Sequence, residues 1–156
     1  MNARVKELVE KLQLHPHPEG GYYKETYRSI RNTHNGLSLM TSIYFLLTSD
    51  SPSRFHRIQS DEHWYFHEGS PLSIHLLDRC ELTTIHLGLD LTNNETPHAL
   101  VKGNTIFGSE IEHNECYALV SCAVSPGFDF STFELFTKEE LLHEYSDYKE
   151  VIERLT

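Results

Sequence analysis

Basic residues are scarce in this chain. Thirteen Lys and Arg stand against 23 Asp and Glu, a formal net charge of -10 over 156 residues. Nucleic acid and anionic membrane both select a basic footprint, so neither is expected as a partner. No apolar run approaches the length that spans a bilayer. The opening stretch MNARVKELVEKLQL has no apolar signal-peptide core, and a chain retained in the cytoplasm is the expectation. The three cysteines, Cys80, Cys116 and Cys122, form no C-x-x-C pair and are odd in number, so free thiols in a reducing compartment are the simplest reading. Linkers, internal repeats and low-complexity segments are missing too. Gly20 and Gly21 match no phosphate-binding loop, and PEGG reads as a turn. The length fits one domain around one core, residues 1–156.

What is present is mostly period-two patterning. Residues 2–13 read as a short amphipathic helix with Val5, Leu8, Val9 and Leu12 on one stripe. HPHPEGG ends it, because its prolines and glycines cannot continue a helix. From Tyr22 onward residues alternate: YYKETYR, then LSLMTSIYFLL as a long strand, with Asn35-Gly36 between them as a hairpin signal. Further strands are expected at 54–58, 62–67, 72–77, 81–87, 98–102, 105–111, 116–124 and 132–136, the first two joined as a hairpin. Many short strands at this spacing indicate an all-β sandwich or barrel. Thr137 and Glu140 form a capping-box pattern, so helices are expected over 137–156.

The stretch SRFHRIQSDEHWYFHEG concentrates His56, His63 and His67 around Asp61 and Glu62. His56, Ile58, Glu62 and Gly69 fall at the spacings of a two-part signature, H-x-H, three or four residues, E, six residues, G. The second part, P-x-G-x-x-H, is matched loosely by KGNTIF, with Lys102, Asn104 and Phe107 in the three key places. Asn replaces Gly with least penalty where a turn needs a left-handed conformation. Together with HPEGGYYKETYRS, SIYFLL, IFGSE and VSPGFDFSTFELF, these residues resemble the cupin superfamily. The resemblance is to its small single-domain family of unknown function, related in fold to the dTDP-sugar epimerases. It covers Leu14 to about Leu142 and implies a jelly-roll β-barrel over 22–136, with short N-terminal (1–14) and C-terminal (137–156) helices.

In metal-binding cupins, the resemblance implies, the places of His56, Ile58, Glu62 and Phe107 hold the ligands. Two of the four are apolar here, so no metal or other cofactor is expected. His63 and His67 are odd-numbered and are expected on the opposite strand face from Glu62, Trp64 and Phe66; His75 is a further substitute. A metal-free alternative keeps His56 and Glu62 as a buried acid/base pair, and the epimerase-like cupins use an inward His in this way. Tyr44 or Tyr23 would supply an opposing acid. The bland alternative is that His56 and Glu62 only satisfy one another. Tyr23, Glu25, Tyr44, Trp64 and Phe107 are the expected substrate contacts, with Tyr27 and Arg28 near them. The expected function is binding of a small sugar- or nucleotide-like molecule in the barrel mouth, with metal-independent isomerisation or epimerisation by His56 as the first hypothesis and non-catalytic binding or metal-dependent oxygenation or isomerisation as the alternatives. Tyr-rich strand 22–28 is the expected contact of a homodimer.

Overall fold

The computed structural model describes residues 3–114 and 116–156. Helix α1 (Ala3–Leu12) opens the chain. Asn2, where the expected helix starts, lies outside the described residues. The strands are β1 (His15–Pro16), β2 (Tyr22–Arg28), β3 (Thr41–Thr48), β4 (Ser53–Arg57), β5 (Asp61–Gly69), β6 (Leu72–Asp78), β7 (Glu81–Leu87), β8 (His98–Val101), β9 (Ile106–Glu110), β10 (Tyr117–Ser125) and β11 (Glu134–Leu135). Helices α2 (Lys138–Glu144) and α3 (Lys149–Arg154) close it. Thr137 accepts from the Glu140 backbone N–H while the Glu140 carboxyl returns to Thr137, so the capping box forms as read.

Two antiparallel sheets face one another. One has the order β1-β2-β3-β10-β5-β8, the other β11-β4-β9-β6-β7. This is the two-sheet β-architecture that the alternating pattern predicts and the jelly roll that the cupin resemblance implies. Phe45, Leu47, Trp64, Val120, Ile74 and Phe107 interlock between the sheets. The outer faces are covered as well. Val5 and Leu8 of α1 pack on Leu46 and Leu119. Leu141, Val151, Ile152 and Leu155 pack on Phe55, Leu77 and Ile106. Burying a side chain of this size contributes about 1.5–3 kcal/mol, so each short helix is held by its apolar stripe rather than by its own propensity. Among the described residues no helix is long and apolar enough to cross a membrane.

Three expectations are corrected. LSLMTSIYFLL is not one strand: β3 begins at Thr41, and 37–40 belong to a hairpin arm tied by an Asn32–Ser38 bridge. The expected strand 132–136 shrinks to Glu134–Leu135, because Phe130–Thr132 close into a 3-10 turn capped by Asp129. Most consequential, β4 and β5 are not a hairpin. They lie in different sheets, so IQSD crosses from one sheet to the other. Asn104 does take the left-handed conformation, at φ 65°.

Candidate functional site

Residues of both sheets line a cavity of about 170 Å³. β4 brings His56 and the following residue pair brings Ile58; β5 brings Glu62, and β10 brings Cys122 and Val124. Tyr23, Glu25 and Arg28 of β2 line it from the first sheet. The segment after β10 supplies Phe128, Asp129 and Phe130.

Two further lining residues, His17 and Glu19, come from the turn HPEGG. His17 N–H donates to the Gly21 carbonyl (3.0 Å) and Gly20 N–H to the His17 carbonyl (3.0 Å). Gly20 has φ 115°, and a Cβ there would sit 1.9 Å from the Pro52 carbonyl oxygen, so no other residue closes this turn against the chain before β4. Arg54 clamps it: its backbone N–H donates to the Glu19 carbonyl (2.8 Å) and its guanidinium to the Pro18 carbonyl (2.5 Å). The turn therefore carries the His17 ring and the Glu19 carboxyl into the cavity.

There Glu19 Oε2 lies 3.2 Å from His56 Nε2 and 3.7 Å from His17 Nδ1, while Ser53 Oγ donates to Glu19 Oε1 (2.7 Å). The tautomers follow from the partners. His56 Nδ1 is 2.7 Å from the Arg54 carbonyl, which only accepts, so Nδ1 carries a proton. His17 Nδ1 accepts from the Glu19 backbone N–H (3.2 Å). With Nδ1 protonated, neutral His56 presents Nε2 to Glu19 Oε2 across 3.2 Å, near enough for a proton to pass between them. Burial disfavours the charged form of each. It lowers His56 to about 4 and raises Glu19 above the ordinary carboxyl value. Burial thus works against an ion pair between the two groups. The rings of Phe107 and Phe133, with centroids 4.3 and 5.5 Å from that of His56, enclose the imidazole.

Glu62 is buried on the opposite sheet, and burial pushes its carboxyl up to about 8, with nearby Glu19 adding to the shift. The Cys122 thiol and the Trp64 indole lie close enough to favour its ionised form slightly. Neither is a strong partner. Trp64 Nε1 has no acceptor in hydrogen-bond geometry, and burial, then Glu62 and Glu19, hold the Cys122 thiol well above its usual range. At the rim, Arg28 is bidentate to Glu25 (2.9 and 2.8 Å) and donates to the Phe128 carbonyl (3.1 Å).

The family described as Cupin superfamily (DUF985) matches residues 6–136. The chain belongs to this family. The crystal structure of protein SO0799 from Shewanella oneidensis is 44% identical, with a TM-score of 0.93 over 100% of this chain and 98% of that one. A hypothetical protein from Leishmania major is 37% identical, with a TM-score of 0.88 over 97% of each chain. The uncharacterized protein YML079W of Saccharomyces cerevisiae is 32% identical, over 90% of this chain and 80% of its own.

In this cupin the four signature places do not make a metal centre. Ile58 and Phe107 offer no lone pair, His56 commits Nδ1 to Arg54 and aims Nε2 at Glu19, and no ion pair joins His56 to Glu62 among the described residues. Among those residues no group of three or more His, Cys, Asp or Glu is arranged to hold an ion. These residues do not fit a metal. The proposed substitutes lie elsewhere: His63 bonds His98 (2.8 Å) and His67 bonds Ser121 (2.5 Å) on the outer face of β5, and His75 bonds Glu110 (2.9 Å) outside the second sheet.

The expected His56–Glu62 pair is corrected to His56–Glu19, with Glu62 across the cavity. Tyr23, Glu25 and Arg28 line the cavity as expected of an inward face. Tyr44 does not: it packs beside α1 on the outer face of β3, because alternation from Phe45 turns it away. Trp64 and Phe107 are core residues behind the cavity wall rather than contacts on it. Glu19 and His17 escaped the sequence reading. The available signal was the turn itself, which spaces a His and a Glu two apart around Pro18 inside HPEGGYYKETYRS.

Proposed function

We propose that this cupin binds a small polar molecule in the barrel mouth and moves a proton on it without a metal, the chemistry of an isomerase or epimerase. The carrying observation is the 3.2 Å approach of the Glu19 carboxyl to the His56 imidazole at the wall of a cavity. Burial lowers the imidazole and raises the carboxyl, and the Arg54 carbonyl fixes the imidazole tautomer. Little reorganisation is then needed to pass the proton to a carbon or oxygen entering the cavity. Glu62 and Tyr23 hold the ligand from the first sheet, facing the pair.

The test uses exchange of carbon-bound hydrogen. The protein is incubated in D2O with a cell metabolite extract, and the extract is followed by mass spectrometry. A metabolite that gains non-exchangeable deuterium with the wild type, and not with His56→Asn or Glu19→Gln, supports proton transfer. A metabolite that co-purifies with the protein but gains no deuterium identifies the cavity as a binding site without catalysis.

A homodimer through β2 also belongs to this reading. Beyond Tyr22 and Tyr23, which pair with Pro16 and His15, the outer edge of β2 has no neighbouring strand among the described residues, and Tyr27 on it is 52% exposed. Light scattering at micromolar concentration tests it; a monomer refutes it.

A further inference from the structure

Resting on the reading of this cavity as a binding site, we propose that its ligand is a cation: a protonated amine attached to an apolar or aromatic body, with the ammonium seated against Glu62.

The charges that face the cavity carry the argument. Four carboxyls line it, Glu19, Glu25, Glu62 and Asp129, and Arg28 is the one Arg or Lys among the lining residues. Arg28 is already occupied. Both oxygens of Glu25 accept from its guanidinium, the Phe128 carbonyl takes a further N–H, and Asp129 adds its field. A phosphate or carboxylate would have to displace Glu25 from Arg28 beside the Asp129 carboxylate. That disfavours nucleotides and sugar phosphates. Glu19 is spoken for by His56 and Ser53.

Glu62 is the exception. It is 8% exposed, it opens on the cavity, and no cation of the protein pairs with it among the described residues. The groups facing it are Glu19 and His17 from the turn, His56 from β4, Cys122 and Trp64 beside it, and the Glu25–Arg28 pair and Asp129 at the rim. None of these supplies a free positive charge. A buried carboxyl without a counter-charge takes up a proton, and burial has raised Glu62 to about 8. A ligand ammonium provides the missing partner, and Glu62 then releases that proton to solvent. The rest of the wall suits such a ligand. Phe128 and Phe130 stand at 4.9 Å, edge to face, and Tyr23 lies across the His17 ring at 4.6 Å. Aromatic faces attract a cation and cover an apolar body.

Three probes of one shape separate charge from size: phenethylamine, phenethyl alcohol and phenylacetate, titrated calorimetrically into the full chain. The amine is expected to bind at least about tenfold more tightly than the alcohol, and phenylacetate not at all. In phosphate and in Tris buffer at pH 6.5 the enthalpies should differ by the release of nearly one proton per amine. The amine affinity should rise about tenfold per pH unit below 8 and then level off. Glu62→Gln should remove both the proton release and about tenfold of the affinity. The proton count is measured on the wild type, so it stands even if that variant misfolds. Equal or tighter binding of the alcohol or the acid overturns the inference, as does amine binding without proton release, or no binding by any probe. In those cases a neutral or anionic metabolite retained through purification, and lost in a variant narrowing the cavity such as Val124→Phe, leaves the cavity reading intact. Absence of any retained molecule removes that reading as well.

Discussion

Two buried histidine–glutamate pairs sit on the second sheet, one on each face. Inside, His56 meets Glu19 at 3.2 Å; outside, His75 meets Glu110 at 2.9 Å. All four residues are buried. What differs is the third partner. Arg154 of α3 reaches Glu110 at 2.8 Å. Burial alone would raise Glu110, but hydrogen bonds from His75 and Arg154 outweigh it and hold the carboxyl at about 2. At the inner pair the Arg54 guanidinium turns to the Pro18 and Glu19 backbone carbonyls rather than to the Glu19 carboxyl, and burial outweighs its field and raises Glu19 instead. The same two side chains make an ionic strut where a guanidinium bonds the carboxylate directly and an uncompensated pair where it bonds only the backbone. The delivery differs too. Glu110 comes from β9, in register beside β6, whereas Glu19 comes from a turn.

Exchanging roles between the pairs gives the largest expected effect. His56→Asn should slow deuterium incorporation into the ligand by about a hundredfold or more, and His75→Asn should leave that rate within about twofold. Equal losses would show that the inner pair has no special function.

Next comes Gly20→Ala. The Cβ meets the Pro52 oxygen and the φ is unfavourable, so unfolding in urea should show a loss of more than about 1 kcal/mol. The turn must shift, so the exchange rate should fall as well. A variant of full stability and full rate would mean that Glu19 needs no fixed placement.

Arg154→Leu tests the outer pair. Hydrogen bonds to a charged group contribute about 1.5–3 kcal/mol, and since the Arg154 side chain is 52% exposed the expected loss is nearer about 1 kcal/mol. Glu19→Gln should stay within about 1 kcal/mol of wild type, because it removes no ion pair between fixed charges.

The smallest effect is a limb in the pH profile of thermal unfolding. Glu62 binds a proton more tightly folded than unfolded, so its contribution shrinks as pH rises from the ordinary 4.5 towards about 8, and Glu19, also raised, acts in the same direction. His56 is lowered, so its contribution is lost as pH falls from 6.5 towards about 4. Below 6.5 the two oppose one another; above it the carboxyls act alone, and the melting temperature should drop between pH 6.5 and 8. Glu62→Gln should flatten that limb. Glu110 is lowered to about 2, so its contribution is lost only as pH falls below 4.5, and Glu110→Gln should leave the alkaline limb unchanged.

The barrel was readable because alternation and turn residues report local geometry directly, and 106–110 and 117–125 lie within a residue of the strands expected there. The site was readable only where it sits on a strand. His56, Glu62, Tyr23 and Glu25 face inward as parity requires. Tyr44 was misplaced because β3 is covered on both faces, so Ile43 to Leu47 are apolar throughout and their parity carries no sign. The sheet-crossing after β4 looked like a hairpin because connection length alone does not say which sheet the chain enters next. Glu19 was hidden by its own surroundings, since Pro18, Gly20 and Gly21 advertise a turn whatever the side chain between them does.

The clamping of PEGG onto the chain around β4 has a consequence for motion. Arg54 holds the Pro18 and Glu19 carbonyls with its side chain and backbone N–H, and the His56 imidazole with its own carbonyl. Ser51 Oγ accepts from Gly21 N–H, and Ser53 holds the Glu19 carboxyl. Acid and base therefore travel as passengers on a single strand. Glu62 rides on the other sheet. In the proposed reaction, a change in the spacing of the sheets would alter the grip on a ligand while leaving the distance between Glu19 and His56 the same. Binding strength and proton transfer would then be mechanically uncoupled, so that residence of a molecule in the cavity could vary without altering the pair that acts on it.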